Sequence, residues 1–217
     1  MGVINLSENK TDRTKKFYNI FFRVYDPFKS LWNKIFSQKA EEKLSEFLLS
    51  NLDKETTILE LGCGTAVNLE KIHELNIEFK SYEGVDITSN MLEKAKNKFP
   101  DNPAIKFVQD DLNDFVNNEL NNSKSYDIIL CTWVLSHLEN QAHLINQTQK
   151  LLNENGKMFL IFTTRPKWYV GFWITPLFKW VFSAKYVPEN EIKHFSNVSN
   201  FHKFSADMVS VVEIKKR

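Results

Sequence analysis

Cysteine is nearly absent from this chain of 217 residues: only Cys63 and Cys131 occur, in no CxxC pair and no Cys/His cluster. That argues against a disulfide scaffold and a structural metal site, and two free thiols in a reducing cytosol are expected. An excess of one charge is missing too. Lys and Arg number 28 against 27 Asp and Glu, a formal net of +1, so no global basic field recruits nucleic acid and no nucleic-acid partner is expected. The N-terminal stretch Ser7 to Lys16 is polar and charged, which is not how a secretory leader reads. The most aromatic run, Arg165 to Tyr186, is broken by Gly171, Pro176 and Lys179, and is too short for a transmembrane helix. Internal repeats and long linkers are also lacking. One domain over 1–217 is the expectation, with length enough for one well-filled core.

What is present centres on Ile58-Leu59-Glu60-Leu61-Gly62-Cys63-Gly64-Thr65. Thr57 to Leu61 reads as a short buried strand, and Ala66 to Ile72 carries helical spacing. Strand, glycine turn and helix in that order let a backbone approach a nucleotide-like ligand closely. Glu60 stands just before the first glycine, where a phosphate-binding loop would not want negative charge. The site therefore reads as one for a ligand carrying positive charge.

The rest of the chain alternates. Ser81 to Ile87 reads as a strand ending at Asp86, with Thr88-Ser89-Asn90 capping a helix that starts at Met91. Ile105 to Gln109 is a third strand, ending at Asp110-Asp111, and a polar Asn-rich stretch runs from there to Lys124. Tyr126 to Cys131 is a fourth strand. Leu135-Ser136-His137-Leu138 opens a helix running to Leu152, Asn155-Gly156 makes a turn, and Lys157 to Thr163 is a fifth strand. Such alternation predicts an α/β fold, a parallel sheet with right-handed crossovers and helices on both faces. Val198–Phe204 and Met208–Ile214, separated by Ser205-Ala206-Asp207, read as a terminal β-hairpin.

Before this core, Phe17, Ile20, Phe21, Val24 and Tyr25 form a helical stripe that Asp26-Pro27 interrupts. Phe28, Leu31, Trp32, Ile35 and Phe36 form a second stripe, and a third helix spans about 40–52. The organisation is thus an N-terminal helical cap (1–54), a ligand-binding core (55–164), an aromatic and basic insertion (165–187) and a hairpin region (188–217).

In parallel sheets ligands bind at the carboxyl ends of the strands. Those ends carry Glu60, Gly62 and Gly64, then Asp86, Asp110 with Asp111, and Cys131-Thr132-Trp133. Asp86 follows Gly64 at roughly the twenty-residue interval from which a carboxylate accepts both ribose hydroxyls. A dinucleotide fingerprint would need a third glycine where Val67 stands, and a pyrophosphate would be repelled by Glu60. S-adenosylmethionine, with a sulfonium, an ammonium and no phosphate, suits both departures.

The series Ile58–Thr65, Gly84-Val85-Asp86, Val108–Leu112 and Asp127–Leu138 resembles the class I S-adenosylmethionine-dependent methyltransferases. The closest likeness is to the type-11 group, which includes quinone, small-molecule and lipid methyltransferases. It implies a Rossmann-like, seven-stranded, mostly parallel sheet with a C-terminal antiparallel hairpin. The resemblance further implies that Gly62, Cys63 and Gly64 pass along the methionine part of the cofactor, with Glu60 orienting its ammonium. Asp86 would hold the ribose, Ile87 would lie against the adenine, and Asp111 would accept from the adenine amino group beside Leu112. Cys131 and Trp133 would face the cofactor and the substrate mouth, and Tyr25 would lie near the cofactor carboxylate.

Each assignment has a plainer counterpart. Cys63 could simply fill space between glycines, Asp110 could cap a loop, and Trp133 could be core packing. His137 is the only histidine near a strand end, and so the only candidate base, although a histidine opening a helix is more often structural. No Asp/His dyad is evident, but methyl transfer from a sulfonium requires a base only where the acceptor must lose a proton. Rings interleaved with Arg165, Lys167, Lys179 and Lys185 suit either a dry lid or a membrane interface. Both favour an apolar or amphipathic acceptor: a lipid headgroup, a quinone precursor, or a small aromatic or amine. The alternatives are a non-catalytic binding module and a methyltransferase acting on protein or nucleic acid. A cytoplasmic location, with peripheral membrane contact through 165–187, completes the expectation.

Overall fold

Strands that bury side chains on both faces need helices on both sides, and the strands at the centre of this protein are of that kind. The computed structural model describes residues 37–167 and 186–216. The first two predicted helical stripes, with Tyr25, and residues 168–185 of the aromatic insertion lie outside the described residues. In chain order the elements are α1 (Gln38–Asn51), β1 (Thr57–Leu61), α2 (Val67–Glu74), β2 (Ser81–Asp86), α3 (Ser89–Lys98) and β3 (Ile105–Gln109). They continue with α4 (Leu112–Asn121), β4 (Tyr126–Thr132), α5 (Gln141–Thr148), β5 (Leu152–Thr163), α6 (Glu189–Lys193), β6 (Val198–Phe204) and β7 (Val209–Lys215).

The strands form a seven-stranded sheet in the order β3-β2-β1-β4-β5-β7-β6. The first five pair in parallel, and β7 runs antiparallel to both β5 and β6. Alternation sorts the core into two halves. Leu59, Leu61, Val85, Ile129 and Cys131 face α4, α5 and α6 through Phe115, Val116, Ile145 and Ile192. Ile58, Tyr82, Ile128 and Leu130 face α1, α2 and α3 through Leu44, Leu48, Leu69, Ile72 and Ala95. The chain goes from β1 outward to β3, then returns to place β4 on the other side of β1. That reversal leaves a crevice beyond the carboxyl ends of β1, β2 and β4.

The structure departs from the sequence reading at three places. The Asn-rich stretch before Lys124, to which the sequence reading assigned no element, forms a helix: Asp111 caps α4 by accepting from the Asn113 N–H at 2.9 Å, and Leu112, Phe115, Val116 and Glu119 are buried. Its apolar positions fall at the three-and-four spacing of a helix, thinly spread among asparagines. The single helix expected over 135–152 is instead a 3-10 turn (Leu135–His137), α5, and a second 3-10 turn (Gln149–Leu151). Asn140, at φ 52°, separates the first two. The turn expected at Asn155-Gly156 lies within β5, which begins at Leu152 and carries a register irregularity against β4.

At the amino edge of the sheet, Asp127 fastens three strands together. Its Oδ2 accepts from the Thr57 N–H at 2.9 Å and the Thr57 hydroxyl at 2.7 Å, and its Oδ1 accepts from Asn153 at 2.7 Å. Burial pushes this carboxyl up, but the donors from Thr57 and Asn153 outweigh it and leave it below the ordinary aspartate value. Glu83 behaves alike: burial raises it, and Lys106, Tyr126 and Lys124 together bring it lower. A carboxyl lowered in the folded state contributes stability that is present above about pH 4 and is lost as pH falls through its folded value. In urea titrations across the acid range, Asp127→Asn should flatten the acid limb of the stability curve. An unchanged limb would remove Asp127 from the account.

Candidate functional site

The turn after β1 is held open by its glycines. Gly62 has φ 70° and Gly64 has φ 54°, a region L-residues enter only with strain. The N–H groups of Gly62 and Cys63 both donate to the Val85 carbonyl, at 2.8 and 3.0 Å, tying the turn to β2. The two glycines differ in surroundings. A Cβ on Gly62 would lie 2.6 Å from Val134 Cγ2, whereas one on Gly64 would meet no described atom within 4 Å. Gly62 is thus small because the protein packs against it, and Gly64 faces open space.

Asp86, at the end of β2, closes the turn from the other side. Its Oδ2 accepts from the Gly64 N–H at 3.0 Å, and its Oδ1 from the Thr88 N–H at 2.8 Å. Burial pushes its carboxyl above the ordinary value, against the lowering effect of those N–H groups. Cys63, only 5% exposed, packs over Gly84, where a Cβ would lie 2.9 Å from its sulfur. Burial pushes the Cys63 thiol well up, with the charges of Asp86 and Glu60 adding to it. The thiol is inert, and the space-filling reading of Cys63 fits it.

Glu60 lies beneath the turn at 2% exposure, on the α2 side of the sheet. Its Oε1 accepts from Asn68 Nδ2 at 2.7 Å, and its Oε2 accepts from the Tyr82 hydroxyl at 2.5 Å. The Asn68 amide also donates to Thr132 Oγ1 at 2.8 Å, joining α2 to the end of β4. Thr132 was named at a strand end but given no role, and Asn68 and Tyr82 were not among the expected site residues. The one legible signal was Asn68, a polar side chain on the buried stripe of α2 with Leu69 and Ile72.

The remaining residues divide between crevice rim and core. Asp110 Oδ1 accepts from the Asp111 N–H at 2.8 Å, so these two aspartates organise the loop between β3 and α4. Ile87 is half-buried just beyond β2, while Leu112 is 5% exposed and packs in the core with Phe115. Cys131, expected to face the cofactor, has no exposed surface and belongs to β4, and burial pushes its thiol up. Trp133 holds φ 65°, unusual for a bulky residue. Its indole N–H donates to Glu41 Oε1 at 3.3 Å, and Glu41 pairs with Lys71 at 2.5 Å, so the ring leans toward α1 and α2. His137 is half-buried in the 3-10 turn after β4. The structure therefore brings together Glu60, Gly62, Cys63, Gly64 and Asp86, and leaves Cys131 and Leu112 in the core.

Acidic groups at the carboxyl edge, with open space over Gly64, fit a cationic nucleoside better than a phosphate. The family model of a methyltransferase domain matches residues 59–158. The chain is similar to malonyl-[acyl-carrier protein] O-methyltransferase 1 of Ilyobacter polytropus, 28% identical over 172 residues, 78% of this chain and 62% of that protein. It is also similar to the mitochondrial ubiquinone biosynthesis O-methyltransferase of Candida albicans, 27% identical over 138 residues, 63% of this chain and 40% of that one. The chain thus spans less than two thirds of the length of these relatives. Its fold matches the N-methyltransferase NodS of Bradyrhizobium japonicum WM9, solved with S-adenosyl-L-homocysteine, at a TM-score of 0.62 and 16% identity. That match covers 82% of this chain and 86% of the other. Residues 59–158 thus match a methyltransferase domain, and the relatives and the seven-stranded sheet agree with that match.

Proposed function

We propose that the protein transfers a methyl group from S-adenosylmethionine to a small apolar or amphipathic acceptor by in-line displacement. One observation carries the reading: the Asp86 carboxylate accepts from the Gly64 N–H at the carboxyl edge of the sheet, at the end of the strand that pairs with the one carrying the buried acid Glu60. Asp86 and the glycine turn would hold the ribose and methionine parts, with Ile87 and Asp111 toward the adenine. When bound, the sulfonium supplies an already activated methyl carbon. The protein's own work is then alignment and exclusion of water, which can supply most of the rate enhancement. Calorimetry with S-adenosylmethionine against NAD tests the ligand class, and binding of NAD alone would overturn the proposal.

The acceptor is narrowed by acid–base chemistry. Relatives named for malonyl-[acyl-carrier protein] and for ubiquinone biosynthesis support two oxygen acceptors, a malonyl carboxylate and a quinone-precursor phenol. A carboxylate is already ionised at neutral pH and needs no base, whereas a phenol must lose its proton. His137→Ala separates them in a methyl-release screen over malonyl thioesters, quinone precursors, lipids and amines. With a phenol acceptor and His137 as base, kcat should fall by roughly 10²–10⁴. With a carboxylate acceptor it should stay within about twofold of the parent. A phenol methylated at full rate by the variant would remove His137 as the base. Among the described residues no helix is long and apolar enough to cross a membrane. Surface association through 165–187 stays part of the proposal, and flotation with anionic liposomes tests it.

A further inference from the structure

Glu60 was read from sequence as the acid that selects a positively charged ligand, and that role requires it to be ionised. A carboxyl group at 2% exposure is costly to ionise unless its oxygens receive hydrogen bonds. Both oxygens receive one here, from two residues outside the family's glycine motif. The Tyr82 hydroxyl reaches Oε2 at 2.5 Å and the Asn68 amide reaches Oε1 at 2.7 Å. Tyr82 is itself 1% exposed and comes from the next strand, while Asn68 comes from the helix after the turn, and its amide is fixed further by Thr132. In both contacts the carboxylate accepts, so the arrangement favours the form without a proton.

We infer that Tyr82 and Asn68 are positioning residues that hold Glu60 ionised beneath the glycine turn, so that the site keeps its preference for a cationic cofactor at neutral pH. The inference rests on the reading of the site as one for S-adenosylmethionine, and it concerns how that site is charged.

The titratable groups near Glu60 among the described residues include two thiols. The turn contributes the Cys63 thiol and β4 the Cys131 thiol, both pushed up by burial and by Glu60 itself. Asp86, at the end of β2, is a second anion, and its charge works against ionisation of Cys63 and Tyr82. Burial pushes the Tyr82 hydroxyl far above its ordinary value, which keeps its proton available to donate. Of the charged side chains on the helices of this face, Lys71 and Glu41 pair with each other, and Lys98 pairs with Glu70 and the Thr65 carbonyl.

The test is calorimetric titration of the full chain with S-adenosylmethionine as pH is varied, with circular dichroism to confirm folding. Relative to the parent, Tyr82→Phe should lose affinity progressively as pH is lowered, reaching roughly tenfold, as Glu60 takes up a proton. Asn68→Asp should show a larger loss over the same range, because two adjacent carboxyls share one proton; it carries the test if Tyr82→Phe does not fold. In a Glu60→Gln background, adding Tyr82→Phe should introduce no new pH step. Folded variants whose affinity runs parallel to the parent at every pH overturn the inference. A parent chain that binds no S-adenosylmethionine instead overturns the reading of the site itself, so the two failures are distinguishable.

Discussion

Gly62→Ala should lower the stability of the protein far more than Gly64→Ala, although both glycines have positive φ in the same turn. A left-handed conformation costs an L-residue roughly 1–2 kcal/mol at either position. Only Gly62 carries a second penalty, because its new methyl would lie 2.6 Å from Val134 Cγ2 and 2.8 Å from Val134 Cβ. Overpacking of that kind costs about 1–3 kcal/mol. The sum is a large part of the ~5–15 kcal/mol that holds a typical domain together. A melting point lower by on the order of 10 °C is expected. Gly64→Ala, with no described atom within 4 Å of the new methyl, should melt only a few degrees below the parent. Its defect should appear in cofactor binding, since the methyl fills the space that the ligand would enter. Val134→Ala should partly rescue Gly62→Ala, because two of the three close carbons are removed. Equal melting points for the two glycine variants would sink the packing account.

That contrast marks how far the sequence could be read. Strands β1, β2 and β3 end where their apolar runs meet glycine or acidic residues, so their carboxyl edge was legible residue by residue. Two identical letters, Gly62 and Gly64, were not separable, because what distinguishes them is Val134, seventy residues on and brought close only by the pairing of β1 with β4. Tyr82 was hidden for the same reason: it is ordinary in its own strand, and only the register of β1 with β2 brings it to Glu60. Helix α4 was overlooked because asparagines, poor helix formers, diluted its periodicity, while the Asp111 cap and the buried Phe115 and Val116 outweighed propensity. The resemblance implied that Cys131 faces the cofactor; in the sheet its side chain alternates into the core face with Ile129.

Asp86→Asn should give the other large effect, and it should be visible in affinity, in stability and in pH dependence at once. The carboxylate offers Oδ2 to Gly64 and Oδ1 to Thr88. An asparagine keeps one acceptor oxygen and turns an NH2 group toward the second N–H, so one donor is left facing another. An unsatisfied buried donor costs about 1–3 kcal/mol. If Asp86 also accepts from the ribose, hydrogen bonds to a charged group worth about 1.5–3 kcal/mol are weakened, a roughly ten- to hundredfold loss in S-adenosylmethionine affinity. The pH profile separates the two effects. Burial raises the Asp86 carboxyl in the folded state, so its contribution to stability is fully present below the unfolded pKa and is lost as pH rises through the folded one. That is the opposite sign to Asp127 and Glu83. A ligand that needs the ionised form works against this preference: binding should release protons as pH approaches the raised value, and affinity should weaken on acidification. Calorimetry in buffers of different ionisation enthalpy reads that proton release directly. The parent should show it, and Asp86→Asn should show none from this group. A parent affinity that the substitution leaves unchanged would mean that the ribose is held elsewhere and that Asp86 serves only to shape the turn.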